Sequence, residues 1–194
     1  MNLYAFGKTL VKTALTPLYR FEVVGHELFP KEGGILLCSN HIHALDPPVV
    51  GMTAPRTVHF MAKEELFKLP ILGGLLPKVN AFPVKRGMSD REAMRTALKI
   101  LKSGEVVGLF PEGTRSNDGV LKKGLSGAGF FALRGNADVV PCAIIGPYKA
   151  FRKVKVVFGE PIIMEPYRER KATAEEVTEA IMASIQKLLD ENSK

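Results

Sequence analysis

"GILLCSNHIHALDPPVV", residues 34–50, passes from an apolar run to two histidines, an aspartate and a double proline. Its first six residues read as a buried strand, because they are a short and nearly continuous apolar run. Pro47 disfavours a helical Asp46 yet is well tolerated at the first position of a helix. The stretch therefore predicts a short helix beginning at Pro47, with Asp46 as its N-cap.

The rest of the chain continues this alternation. Apolar runs rich in Val, Ile and Phe at 21–24, 57–62, 79–84, 105–110, 139–145 and 154–158 predict further strands. A helix is predicted from Asp90 to Lys102, opened by the capping pair Ser89 and Glu92, burying Met94, Ala97, Leu98 and Leu101, and stopped by Gly104. A last helix, about 174–190, starts from Thr173 with Glu176 three residues on, and carries the stripe Val177, Ile181, Ile185, Leu188 and Leu189. The expected fold class is α/β: a single domain with a mixed, largely parallel central sheet flanked by helices. Ligands of such domains usually bind at the carboxyl ends of the strands.

Composition agrees with one folded unit. A chain of 194 residues suits one core, and 46% hydrophobic with 24% charged residues is globular usage without repeats or low-complexity tracts. The excess of 27 Lys+Arg over 20 Asp+Glu, a net +7, favours anionic partners such as phosphorylated substrates, acidic proteins or an anionic membrane surface. Dispersed basic residues, no Trp and 4 Tyr give no stacking platform, so nucleic acid is not an expected partner. Cys38 and Cys142 sit inside apolar runs and read as buried free thiols. With no signal-peptide pattern at the start, they point to the cytoplasm.

Residues 2–19 form an amphipathic wheel. Phe6, Leu10, Leu3, Ala14, Leu18, Val11, Tyr4 and Leu15 fill one half, and Lys8, Lys12, Thr9, Thr13 and Thr16 the other. The segment is too short and too charged to span a bilayer, which needs roughly 18 apolar residues or more. It can lie in a membrane interface or pack on the protein's own core. A second apolar stretch interrupted by Pro and Gly, "LFKLPILGGLLPKVNAFPV" at 66–84, favours the interface. The expected division is an interfacial helical segment at 1–20 and an α/β domain at 21–194.

Three readings fit His41, His43 and Asp46. Asp46 can cap the helix beside two ordinary histidines. It can instead accept the N–H of His41 and fix the tautomer, leaving the other ring nitrogen to take a proton from a substrate hydroxyl. On a continuous helix the two would stand about 140° apart, so the dyad requires a turn between them. Thirdly, the three could ligate a catalytic zinc, which needs three protein ligands and an open position; His26 and His59 lack ligand-like spacing.

Other predicted strand ends carry cations. After "EVVGLF" comes "PEGTRS", residues 111–116, where a Gly turn can turn backbone N–H groups toward an anion and Arg115 can hold two phosphate oxygens in its planar fork. "AFPVKRG" adds Lys85 and Arg86, and "MAKEEL" adds Lys63. A non-enzymatic membrane-surface protein would account for the charge and the amphipathic start, but it leaves the His–Asp pair and the Glu-Gly-Thr-Arg turn without a purpose.

"NHIHALDP", "AFPVKRG", "FPEGTRS" and "VVPCAIIG" stand in the order and approximate spacing of the four sequence blocks of the glycerolipid acyltransferases. The chain resembles that family from about residue 35 to 146. The resemblance implies a fatty acyl transfer from an acyl thioester, acyl carrier protein or acyl-coenzyme A, to the 2-hydroxyl of lysophosphatidate, giving phosphatidate. It implies His41 as the catalytic base and Asp46 as its partner, and Arg86, Glu112, Gly113, Thr114 and Arg115 as the glycerol-phosphate binding set. Lys63 matches a family lysine near the site. His43, where the family often has Ser, is expected to be an inert imidazole. No cofactor, metal or covalent nucleophile is expected, so Cys38 and Ser39 are spectators. Backbone N–H groups near the short helix after Asp46 are expected to hold the oxyanion. The implied location is the cytoplasmic face of the membrane, as a peripheral protein with its N-terminal helix on the lipid.

Overall fold

A computed structural model describes residues 3–85, 90–116 and 118–193. Each predicted apolar run becomes a strand: β1 (Arg20–Val24), β2 (Gly34–Ser39), β3 (Val58–Lys63), β4 (Ala81–Val84), β5 (Val106–Leu109), β6 (Ala137–Ile145) and β7 (Lys153–Phe158). Helices α1 (Leu3–Leu15), α2 (Asp46–Thr53), α3 (Glu64–Phe67), α4 (Leu72–Leu75), α5 (Arg91–Lys102), α6 (Gly127–Arg134), α7 (Glu165–Glu169) and α8 (Ala174–Asn192) complete it.

The strands form one sheet in the order β1-β7-β6-β2-β5-β3-β4. Neighbours pair in parallel throughout except β6 with β7, so the sheet is mixed and largely parallel. β2 lies at the centre, and Ile35 through Ser39 are all buried. Its residues alternate between two cores. Ile35 and Leu37 join Val49, Val50 and Met52 of α2 on one face, while Leu36 and Cys38 join Ala97 and Leu101 of α5, Phe131 of α6 and Ile181 and Ile185 of α8 on the other. Burying one such leucine contributes about 1.5–3 kcal/mol, which is why strands buried on both faces read as continuous apolar runs.

The capping expectations need adjustment. Ser89 lies outside the described residues, and the N-cap of α5 is Asp90, whose Oδ1 accepts the N–H groups of Glu92 and Ala93. Those bonds, with one from the Lys85 N–H, hold the Asp90 carboxyl below its ordinary pKa. Thr173 does cap α8 through the Glu176 N–H (3.2 Å), but the Glu176 carboxylate pairs with Arg170 instead of closing a capping box. A nearby guanidinium outcompetes a backbone N–H for that charge.

The N-terminal helix docks on the domain. The Tyr4 hydroxyl donates to the Gly51 carbonyl (3.3 Å) and accepts the Val58 N–H (3.0 Å), Lys8 Nζ donates to the Ala54 carbonyl (2.5 Å), and Val11 and Leu15 pack on the α2 side of the core. Of the apolar wheel, the side chains of Leu3 and Phe6 lie outside the described residues. Leu10, Ala14 and Leu18, spaced four apart, remain exposed. Among the described residues no helix is long and apolar enough to cross a membrane.

Candidate active site

β2 through β6 are mutually parallel, so their carboxyl ends lie along one edge of the sheet. The central one leads directly into the quoted turn. The Asn40 side chain accepts the Ile144 N–H (2.7 Å) and donates to the Ile144 carbonyl (2.9 Å), clamping the exit of β2 to β6. His41 is then held on both sides of its main chain by the loop after β5. Its N–H donates to Glu112 Oε1 (2.8 Å) and its carbonyl accepts the Ser116 N–H (2.8 Å).

That loop depends on Gly113, which takes φ +67, a left-handed conformation that glycine adopts at low cost. Glu112 is 4% exposed, and its second oxygen accepts the Lys122 N–H (3.0 Å). With each of its two oxygens holding a backbone N–H, the Glu112 side chain braces the turn.

The His41 ring stacks on Phe110 (centroids 4.1 Å apart, 21° between planes), and His41 Nδ1 lies 2.7 Å from Asp46 Oδ2. An ionised carboxylate only accepts, so Nδ1 carries the proton and Nε2 presents its lone pair. Among the described residues Nε2 has no hydrogen-bond partner, and the side chain keeps 11% exposure. An accessible basic nitrogen with its opposite side fixed by a carboxylate is the geometry of a general base.

Asp46 is fully buried, and the same Oδ2 also accepts the Ile42 and His43 N–H groups, each at 2.7 Å. It is therefore not the N-cap of the following helix. Asp46 is the first residue of α2, Leu45 precedes it as cap, and no side chain caps this helix. Pro47 and Pro48 have no N–H to donate, and the Val49 N–H already bonds the Leu45 carbonyl (2.9 Å), so the carboxylate turns to donors upstream. The same fact leaves the first turn of α2 without a free N–H for an oxyanion. Its two prolines have none, and the Asp46 N–H is spent on the His43 carbonyl (3.1 Å).

Thr114 and Arg115 are exposed beside His41's tether at Ser116, Lys63 is exposed at the end of β3, and Arg86 lies outside the described residues. His41, Asp46 and Glu112 share one hydrogen-bonded network, and Thr114 and Arg115 are tied to it through the main chain. Sequence reasoning missed Asn40 and Ser116, whose signal was a small polar residue closing an apolar run or a Gly turn. It also missed Phe110, for which no signal existed. Among the described residues no three His, Cys, Asp or Glu side chains are placed to share a metal ion. Both thiols are buried and free; burial pushes Cys142 up to about 12 and Cys38 higher still.

The Acyltransferase family model matches residues 20–145, from the first residue of β1 to the last of β6. The chain belongs to the acyltransferase family. It is 34% identical to the 1-acyl-sn-glycerol-3-phosphate acyltransferase of Bacillus subtilis, with 96% of each chain covered. It is 29% identical to the protein of that name from Borreliella burgdorferi, over 71% of this chain and 55% of that one. Among solved structures it is similar to the 1-acyl-sn-glycerophosphate acyltransferase PlsC of Thermotoga maritima, with TM-score 0.78 and 26% identity over 95% of this chain and 79% of that one. As an acyltransferase the chain is an enzyme, and both ends of the matched segment coincide with strands of the sheet that carries the His41 turn.

Proposed function

We propose that this acyltransferase moves a fatty acyl group from an acyl thioester, carried by acyl carrier protein or coenzyme A, to the 2-hydroxyl of lysophosphatidate. The observation that carries the reading is the 2.7 Å contact of His41 Nδ1 with a buried Asp46, on a turn whose main chain is tied to the Arg115 loop. The names of the relatives support the acceptor.

His41 Nε2 takes the hydroxyl proton as that oxygen attacks the thioester carbonyl. The C–O bond forms, the C–S bond breaks, and the proton passes from the imidazolium to the leaving sulfur, giving phosphatidate and a free thiol. Asp46 holds the ring and stabilises the imidazolium. Transfer is direct. Ser39 is 2% exposed and both cysteines are buried and protonated, which suits none of them to be a nucleophile. The test is phosphatidate formation, read by mass spectrometry from lysophosphatidate with each donor and a chelator present. No product with either donor would remove the assignment.

Arg115 is exposed, and among the described residues its guanidinium forms no ion pair, so it is free to take the acceptor's phosphate; the resemblance adds Thr114, Lys63 and Arg86 to that role. Binding energy at a remote phosphate is turned into orientation of the hydroxyl. Arg115→Ala is expected to raise the acceptor KM about tenfold or more with a smaller loss of kcat, the fold-change of one charge-assisted hydrogen bond. An unchanged KM in steady-state kinetics would take Arg115 out of the phosphate site.

The acceptor is a lipid, and the exposed apolar residues suit a peripheral membrane contact at the cytoplasmic face. Leu10 and Ala14 of α1 and Leu18 in the turn after it, together with Leu69, Ile71, Leu72 and Leu75, are the surface we assign to lipid; Ile71 is 83% exposed. Residues 1–20 then serve as the interfacial segment of the 21–194 domain. Ile71→Glu is expected to weaken co-sedimentation with anionic vesicles several-fold. Binding equal to wild type would exclude this patch.

A further inference from the structure

Past β6 the chain runs through Gly146 and Pro147 to Tyr148, which lies beyond the matched segment. Its ring stacks on His43 (4.6 Å, 23°) and meets Tyr19 edge-on (5.7 Å, 83°). His43 in turn is anchored to the dyad: its N–H donates to Asp46 Oδ2, and its Nδ1 accepts the Leu45 N–H (3.3 Å). The stack therefore carries the phenol against the residue that holds the Asp46 turn.

Two buried polar atoms in this region have no hydrogen-bond partner among the described residues, Asp46 Oδ1 and Tyr148 Oη. A third, Arg168 Nε, belongs to the opposite end of β6, where that guanidinium bonds the Ala137 carbonyl. All three N–H donors to Asp46 converge on Oδ2, which leaves an acceptor on one side and a hydroxyl donor on the other, a complementary pair. Burial first, and then the nearby Asp46 charge, push the Tyr148 phenol far above its ordinary pKa, so it stays a protonated donor.

We propose that Tyr148 is a positioning residue of this acyltransferase: its O–H donates to Asp46 Oδ1, supplying that oxygen's missing partner and supporting the carboxylate that holds the His41 Nδ1–H through Oδ2. Oδ2 already holds three donors, whereas a buried Oδ1 with none is an unsatisfied acceptor, and the phenol O–H would complete the hydrogen bonding of the carboxylate. His43 acquires a part as well, since its ring is the surface on which Tyr148 rests. The proposal rests on the reading of His41 as base.

Tyr148→Phe keeps the ring, its stacking and its packing, and removes only the hydroxyl. The expected result is a fall in kcat of about tenfold, the scale set by one hydrogen bond to a charged group, with the acceptor KM within about twofold and the melting temperature close to wild type. In histidine-labelled protein without substrate, the His41 Nδ1–H proton resonance is expected to move or broaden in the variant. An unchanged kcat would overturn the proposal, as would a loss of kcat that follows a loss of stability while the resonance stays in place. The resonance is read in resting protein, so an active His41→Ala, which would remove the base assignment, leaves it to decide the Tyr148–Asp46 bond by itself.

Discussion

His41→Ala loses about 10²–10⁴-fold in kcat, the span that a positioned general base supplies. The loss is expected in kcat because the ring acts on the hydroxyl proton in the transition state, whereas the acceptor's phosphate is held elsewhere. The fold should survive. What ties this turn to the loop after β5 is the main chain of residue 41, bonded to Glu112 and Ser116, and the ring contributes its stack on Phe110. His41→Gln refills much of the ring's volume without supplying a base and is expected to show the same loss. Single-turnover formation of phosphatidate measures both variants; substantial activity in either would end the assignment of His41.

Asp46→Asn is the second large effect, about 10²-fold or more in kcat with little change in melting temperature. Three N–H groups point at Oδ2, so the amide oxygen must occupy that place, because an NH₂ there would face three donors. The turn therefore keeps its bonds and His41 keeps its tautomer. What disappears is the negative charge that stabilises the imidazolium while it carries the proton. Asp46→Ala is less informative, since it strips an acceptor from buried donors at about 1–3 kcal/mol each and confounds activity with folding. Wild-type kinetics in Asp46→Asn would reduce Asp46 to a structural cap of residues 41–43.

The alternating pattern was legible because strands buried on both faces must be apolar throughout, and each predicted run became a strand. The boundaries shifted where tertiary contacts intervened. β4 begins at Ala81 because Pro77–Val79 forms a 3-10 turn and Asn80 takes φ 59. β6 begins at Ala137, before the apolar run, and its Asp138 side chain accepts the Met164 N–H (2.8 Å). The helix "GAGFFALR", α6, carried no signal, since its glycines are poor helix formers. It exists because it packs closely on α8: a Cβ on Gly129 would lie 1.9 Å from the Ala174 carbonyl oxygen.

The residues of the site were legible, but their partners were not. Sequence by itself determined the α/β alternation and placed polar and charged residues at the strand ends, both of which rest on local periodicity; it left the cap, dyad and zinc readings of His41, His43 and Asp46 open, and only the resemblance implied the dyad. Tertiary structure alone decided that Asp46 turns back from its helix, that Glu112 braces His41 from 71 residues away, and that Asn40 clamps a carbonyl 104 residues distant. It also decided that α1 docks through Tyr4 and Lys8. The reason is physical: a side chain's period is set by its neighbours in the chain, whereas a buried polar group takes whichever partner the assembled sheet brings within about 3 Å.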